Sequence, residues 1–246
     1  MKTLGIIGGL GPMATAYFMQ LVIEMTQAVT DQEHIPMIIY NCPQIPDRTR
    51  FLLGLSQEDP VPGIVKCGGQ LAADGAQILA IPCITAHAMH ERIQERVELP
   101  IIHAIKETAI HLKEAGIKRV ALEATDGTVQ TGVFQKELEA QQIEVILPSR
   151  EGQKKVMDII YHNVKAGIPV DMDKFAAVEQ ELLAKEAQVI ILGCTELSMV
   201  KQQMRNPEVA LNYGLQACYL DAMEVLARAA VKACGKLRQK YESLLY

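Results

Sequence analysis

Short runs of Ile, Val and Leu alternate along the chain with longer segments in which apolar residues recur at helical spacing. This alternation is typical of β-α-β units, because the strands of a parallel sheet are buried on both faces and form nearly continuous apolar runs. The pattern predicts an α/β fold with strands at Leu4–Ile7, Met37–Tyr40, Ile78–Ile81, Ile101–Ile102, Arg119–Leu122, Ile143–Leu147, Val189–Leu192 and Ala217–Leu220.

Two parts of this pattern occur twice. The run A-Q-I-L-A-I-P-C at Ala76–Cys83 is repeated as A-Q-V-I-I-L-G-C at Ala187–Cys194. The segment Thr3–Thr15 has a counterpart at Arg119–Thr131, and each of the two predicts a strand, a loop of small residues and a helix. Each cysteine is therefore predicted to follow the carboxyl end of a strand and to precede a helix.

The repeat predicts two pseudo-symmetric, Rossmann-like α/β domains with parallel sheets. We assign residues 1–102 together with 207–246 to the first domain and residues 103–206 to the second. Ligands of such sheets bind at the carboxyl ends of the strands, where both cysteines are predicted. The active site is therefore expected in the cleft between the two domains.

Composition and charge narrow the class of partner. The 246 residues are 49% hydrophobic and 22% charged, which is typical of a globular protein, and the net charge is −5. No block of Lys or Arg is present, which argues against nucleic acid or an anionic membrane as a partner. The apolar run in the first ten residues is too short for a signal peptide or a membrane span, so a cytoplasmic location is expected. The expected partner is a small molecule.

Cys83 and Cys194, predicted to face one cleft, allow four interpretations: a disulfide, a metal clamp, a nucleophile with a spare thiol, or two acid/base groups. The expected compartment argues against a disulfide, and no His-rich set or Cys-x-x-Cys pair supports a metal site. A thiol at a helix N-terminus interacts with the helix dipole, which is expected to lower its pKa from about 8.5 toward neutrality. Two such thiols on opposite sides of one carbon would exchange its proton and invert it, which predicts a racemase or epimerase.

Other chemical signals in the sequence are weaker. Gly9–Ala14 fits the G-x-G-x-x-A dinucleotide fingerprint, but the acidic residue expected about 20 positions later is absent, so no nicotinamide cofactor is expected. His87 and His90 are not expected to bind a metal. Cysteine is commonly buried as a small apolar side chain, and structural roles are expected for the other four, Cys42, Cys67, Cys218 and Cys234.

Five motifs span nearly the whole chain: GIIGGLGPMAT near the start, PDRT at Pro46–Thr49, PCITAH at Pro82–His87, ATDGT at Ala124–Thr128 and LGCTEL at Leu192–Leu197. In this order and spacing they resemble the aspartate/glutamate racemase family, whose members do not use pyridoxal phosphate. The resemblance implies two α/β domains with the active site between them, no cofactor, and commonly a homodimer. The activity that it implies is the interconversion of L and D aspartate or glutamate.

The same resemblance implies roles for individual residues. Cys83 and Cys194 are the implied acid/base pair, and Arg48 and Lys165 are the implied cations that hold carboxylates of the substrate. The other implied substrate-binding positions lie in the motif loops, at Leu10, Ile84, Thr85, Thr125, Gly127, Thr128 and Thr195.

Two positions depart from the family pattern. The first cysteine is usually followed by Asn, and Ile84 here removes a polar contact, which favours a less polar substrate or a lower turnover. Glu123 stands where an aliphatic residue is usual, and we expect it to be a satisfied surface or interface charge. An isomerase or decarboxylase of another small carboxylate, or a catalytically weak carboxylate-binding protein, remain alternative interpretations.

Overall fold

The computed structural model describes residues 1–204 and 206–245. Within these residues, seven strands form two parallel sheets. Each strand coincides with an apolar run that the sequence pattern predicts, and every strand end lies within two residues of its predicted position. The strands are β1 Leu4–Gly8, β2 Met37–Asn41, β3 Ile78–Ala80, β4 Arg119–Glu123, β5 Glu144–Ile146, β6 Val189–Leu192 and β7 Tyr219–Asp221.

The helices lie between the strands, and side-chain caps begin several of them. Asp47, Ser149, Asp171 and Asp221 each accept a hydrogen bond from a backbone N–H of the first turn. Within the described segments, no helix has both the length and the apolar character needed to cross a membrane. The α-helices are α1 Pro12–Met25, α2 Arg48–Leu52, α3 Val61–Ala73, α4 His90–Gln94, α5 Ala104–Glu114, α6 Asp126–Thr131, α7 Val133–Glu139, α8 Arg150–Asp158, α9 Met172–Ala184, α10 Thr195–Met204, α11 Pro207–Tyr213 and α12 Ala222–Cys234.

The two sheets repeat one topology. The first has the strand order β2-β1-β3, and the second has the order β5-β4-β6-β7. A single parallel bridge between Leu79 and Ile101 adds a fourth position beyond β3, at the place that β7 occupies beyond β6. The predicted strand Ile101–Ile102 is therefore present only as this bridge. The repeat seen in the sequence thus corresponds to two α/β halves with equivalent strands.

The strands β1, β3, β6 and β7 are buried on both faces, as the apolar runs predict, whereas the edge strand β2 is only half-buried. Leu4 and Leu122 point into one large core that also contains Phe18 and Leu226, so this core joins the two halves. The opposite face of the first sheet packs on a second core, and that of the second sheet packs on a third core that includes Phe175. The shared core holds the carboxyl ends of the two sheets toward one another.

The last segment contacts both halves. β7 pairs with β6 in the second sheet, although residues 207–246 are predicted to belong to the first domain. The difference arises because Tyr219 and Leu220 complete the fourth strand position of the second half. α12 then packs against α1 and α5, and the Lys2 N–H donates to the Cys234 carbonyl. The domain boundary itself stays a prediction.

Candidate active site

The first loop of the site follows β1. Gly9 has φ of +87°, and a Cβ there would lie 2.3 Å from the Cys42 backbone nitrogen, so only glycine fits this turn. The Gly9 N–H donates to Thr15 Oγ1, which fixes the loop to the first turn of α1. Leu10 lies between these two anchors with its carbonyl directed toward Arg48.

Cys83 follows β3 and is buried, with 5% of its surface exposed. Its N–H donates to the Ile81 carbonyl across 2.7 Å, and a 3₁₀-helix begins at Ile84. The Nε2 of His87 lies 3.2 Å from the same carbonyl, so His87 clamps the turn from the helix side. Burial, followed by the charges of His103 and His90, lowers the pKa of His87 to about 3, which leaves the ring neutral.

Cys194 occupies the equivalent place in the second half, between β6 and α10, and is 4% exposed. Its Sγ donates to Glu196 Oε2 across 2.9 Å. Burial, and next the charge of Glu196, raise the pKa of the Cys194 thiol well above its usual value. The expectation of a lowered pKa is therefore wrong for Cys194, because burial and the Glu196 carboxylate outweigh the Lys165 charge and the Glu196 N–H, which act in the other direction.

Arg48 begins α2 and is buried. Its guanidinium donates to the carbonyls of Leu10, Ile45 and Pro46. These hydrogen bonds join the loop after β1 to the segment before α2. Burial opposes its charge, but Cys83 and two carboxylates outweigh that effect and raise the pKa of Arg48. Arg48 thus lies against Cys83 while most of its donors are committed to backbone oxygens.

Lys165 follows a π-helical turn at Ile159–Val164 that continues α8. Its Nζ lies 3.9 Å from both Asp47 and Glu196, and 4.2 Å from the centre of the Tyr161 ring. Burial lowers the pKa of Lys165, but Glu196, Cys194, Tyr161 and Asp47 together raise it above its usual value. Each thiol therefore has a cation beside it, Arg48 at Cys83 and Lys165 at Cys194.

Three threonine hydroxyls form a cluster that crosses between the halves. Thr85 Oγ1 lies 3.2 Å from both Thr125 Oγ1 and Thr128 Oγ1, and the last two lie 3.0 Å apart. Thr125 also caps α6. Gly127 lets the start of α6 approach the backbone of α2 closely, since a Cβ at Gly127 would lie 3.1 Å from Thr49 Cα. The three hydroxyls therefore bind one another across the two halves, and a hydroxyl can also donate to a carboxylate.

The structure brings most of the predicted site residues to one small cavity. Both cysteines line it, together with Leu10, Arg48, Ile84, Thr85, Thr125, Lys165 and Thr195, whereas Gly127 and Thr128 do not. Its free volume is about 10 Å³, which is room for one water molecule at most. A second cavity of about 490 Å³ adjoins it and shares Leu10, Arg48, Lys165 and Thr195.

Two acidic members of the site are absent from the sequence-based assignment. Asp47 and Glu196 line both cavities, and each lies beside Lys165. Both belong to motifs quoted above, PDRT and LGCTEL. Each is the direct neighbour of an implied site residue, and this position in the sequence could have identified them. Among the residues that the structure describes, no group of three or more His, Cys, Asp or Glu is arranged to hold a metal ion.

Glu123, at the end of β4, lies behind the site and not at the surface. It is fully buried, and neither carboxylate oxygen has a hydrogen-bond partner in residues 1–204 or 206–245. Burial, with a smaller contribution from Glu179, raises the pKa of Glu123 to about 8. The expectation of a satisfied surface or interface charge is therefore wrong, because the side chain points into the core under the second sheet.

Residues 7–230 match the family model described as Asp/Glu/Hydantoin racemase. The broad specificity amino-acid racemase RacX of Bacillus subtilis is 28% identical over 212 residues, which cover 82% of this chain and 89% of RacX. The structure of the Picrophilus torridus aspartate racemase aligns with a TM-score of 0.79 and 29% identity over 98% of both chains. The glutamate racemase of Francisella tularensis, solved with D-glutamate, has the same fold, with a TM-score of 0.65 and 16% identity over 94% of this chain and 80% of that one.

Proposed function

The chain belongs to the Asp/Glu/Hydantoin racemase family, and from that premise we propose that it racemises an amino acid at Cα with Cys83 and Cys194 as the two bases and without pyridoxal phosphate. One observation carries the proposal: two thiols from equivalent positions of the two halves line the same cavity. The resemblance favours aspartate or glutamate as substrate, and a homodimer in the cytoplasm is part of the same proposal.

In the proposed reaction, the thiolate of one cysteine removes the Cα proton and the thiol of the other delivers its proton to the opposite face. One S–H bond forms and one breaks, so the enzyme is left with the two protonation states exchanged. The Cys194 thiol donates a hydrogen bond to Glu196. This contact fits the step of the cycle in which Cys194 is the protonated cysteine. Arg48 beside Cys83 and Lys165 beside Cys194 supply a counter-charge to whichever sulfur is negative.

The carbanion that forms at Cα needs its charge spread into the α-carboxylate, because no imine cofactor delocalises it. The hydroxyl cluster of Thr85, Thr125 and Thr128 offers donors for that carboxylate. In the closed arrangement these hydroxyls bind one another across the halves, and the cavity beside them holds at most one water. Substrate entry therefore requires this contact to open, and the carboxylate takes its place.

The test is isotope exchange and stereochemistry measured together. The protein is incubated with the L isomer of an amino acid in deuterium oxide, and the D isomer and its Cα deuterium are followed by chiral chromatography and mass spectrometry. We expect D product that carries deuterium, because the delivered hydrogen comes from a thiol that exchanges with solvent. An absence of both exchange and D isomer for every common amino acid would contradict the proposal.

A second candidate, a carboxylate-binding protein with little or no turnover, is favoured by Ile84 at the cavity and by the raised pKa of Cys194. It predicts thermal stabilisation by an amino acid without Cα exchange. An isomerase or decarboxylase of another small carboxylate predicts exchange or carbon dioxide release without a D isomer. Thermal unfolding with and without the amino acid, and carbon dioxide release, are measured beside the same incubation and separate these functions.

Glu196→Gln is expected to shift the pH profile of the reaction. After burial, the Glu196 charge contributes most to the raised pKa of Cys194, so its removal lowers that pKa. In the direction in which Cys194 acts as the base, kcat should therefore begin to rise at a lower pH than in the native protein. The profile is measured for both enantiomers, with the exposed Glu95→Gln as a matched control. Profiles that coincide with those of the native protein would contradict a role for Glu196.

A further inference from the structure

The larger cavity beside the candidate site is the place that a substrate side chain can occupy. The inner cavity has about 10 Å³ of free volume, whereas the outer one has about 490 Å³ and opens from the same residues. A Cα held between Cys83 and Cys194 therefore has one roomy direction for its side chain, past Leu10 and Lys165. The rest of the substrate remains among the threonine hydroxyls.

The wall of the outer cavity is mainly apolar. Away from the inner site its lining includes the apolar side chains of Pro12, Met13, Ile45, Val164 and Met199. Apolar walls of this kind bind side chains by burial, and each buried methylene group increases affinity about fourfold. An aspartate side chain ends after one methylene group and would leave most of this surface without contact. The shape therefore favours a longer side chain.

The charges at the junction of the two cavities already balance. Arg48 and Lys165 provide two positive charges, and Asp47 and Glu196 provide two negative ones. The donors of Arg48 are largely committed to the carbonyls of Leu10, Ile45 and Pro46. A second carboxylate on the substrate would compete with Asp47 and Glu196 for Lys165, which is a cost that a neutral side chain avoids.

We infer that the outer cavity is the side-chain subsite and that the preferred substrate class is neutral amino acids with extended side chains, such as methionine and leucine. This inference rests on the proposed racemase function. The charge balance and the apolar wall act together to select against aspartate.

The inference is tested with a panel of L-alanine, L-aspartate, L-glutamate, L-leucine and L-methionine. The kcat/KM for Cα deuterium exchange is measured for each, and binding is measured separately by calorimetry. We expect methionine and leucine to exceed aspartate at least tenfold in kcat/KM. Faster exchange with aspartate or glutamate would leave the racemase in place and overturn the side-chain inference.

Binding separates the two proposals when no exchange occurs. Tight binding of methionine and weak binding of aspartate, without exchange, would overturn the racemase and support the subsite. No preference for methionine in either measurement would overturn the subsite.

A matched pair of variants tests the cavity itself. Met13 and Met19 are exposed on the same helix, but only Met13 lines the outer cavity. Met13→Trp is expected to lower kcat/KM for methionine about tenfold relative to alanine, while Met19→Trp leaves the ratio unchanged. If the two variants give the same ratio as the native protein, the outer cavity does not receive the side chain.

Discussion

Replacement of Cys83 or Cys194 by serine is expected to lower racemisation by roughly 10²–10⁴-fold in each case, since this is the range that a positioned acid or base contributes. A serine hydroxyl is close in shape to the thiol but ionises far above neutral pH, so it cannot remove the Cα proton. In the proposed two-base cycle each thiol acts as the base in one direction and as the acid in the other. Formation of the D isomer is followed by chiral chromatography from each enantiomer.

The comparison also separates the two thiols from the other cysteines. Cys218→Ser is the matched control, because Cys218 is half-buried before β7 and lines neither cavity. It should retain the native rate. If either Cys83→Ser or Cys194→Ser also retained the native rate, the two-thiol mechanism would fail, and a single-cysteine or different site would have to be sought.

The sheets could be predicted because burial on both faces leaves a direct record in the sequence. Ile78–Ile81 and Val189–Leu192 are continuous apolar runs, and the observed strands, whose residues are all buried, match them within one residue. The repeated cysteine run also predicts where the two thiols lie, since equivalent strand ends of the two halves meet at one cleft. Ile101–Ile102 is the weakest strand, because two residues before a helix provide only one bridge.

The electrostatics of the site could not be read from sequence spacing. A helix N-terminus predicts a lowered thiol pKa, but the field at Cys194 depends on burial and on Glu196, which turns back toward the sulfur from the same helix. In the same way, the motif predicts a cation at Arg48 but not that its donors hold three backbone carbonyls. The contact between Arg48 and Leu10 joins segments that are distant in the chain, and the spacing of residues in the sequence does not predict where these side chains point.

Glu123 shows the same limit and has a larger consequence for stability. The alternation of β4 predicts which face it occupies, but only the structure shows that α9 and β7 close over that face. The groups that face it include Glu179 from α9 and Tyr219 from β7, whose hydroxyl donates to Glu179. Among the described residues no cation or hydrogen-bond donor reaches its carboxylate, so the folded protein favours the neutral acid.

Glu123→Gln is therefore expected to remove a loss of stability that the native protein suffers as the pH rises. The pKa of the Glu123 carboxyl is about 8 in the folded protein, and its ordinary value, which applies to the unfolded chain, is 4.5. Between these two pH values the carboxyl is ionised in the unfolded chain and neutral in the folded protein, so the unfolded state is stabilised relative to the folded state. The free energy of unfolding then falls by about 1.4 kcal/mol per pH unit, or about 4 kcal/mol by pH 7.5. The free energy of unfolding is measured with urea at pH 5, 6, 7 and 8. Its decrease with pH should be smaller for Glu123→Gln than for the native protein, while the exposed Glu139→Gln should show the native decrease. Equal slopes for Glu123→Gln and the native protein would mean that the carboxyl is ionised in the folded state and has a counter-charge.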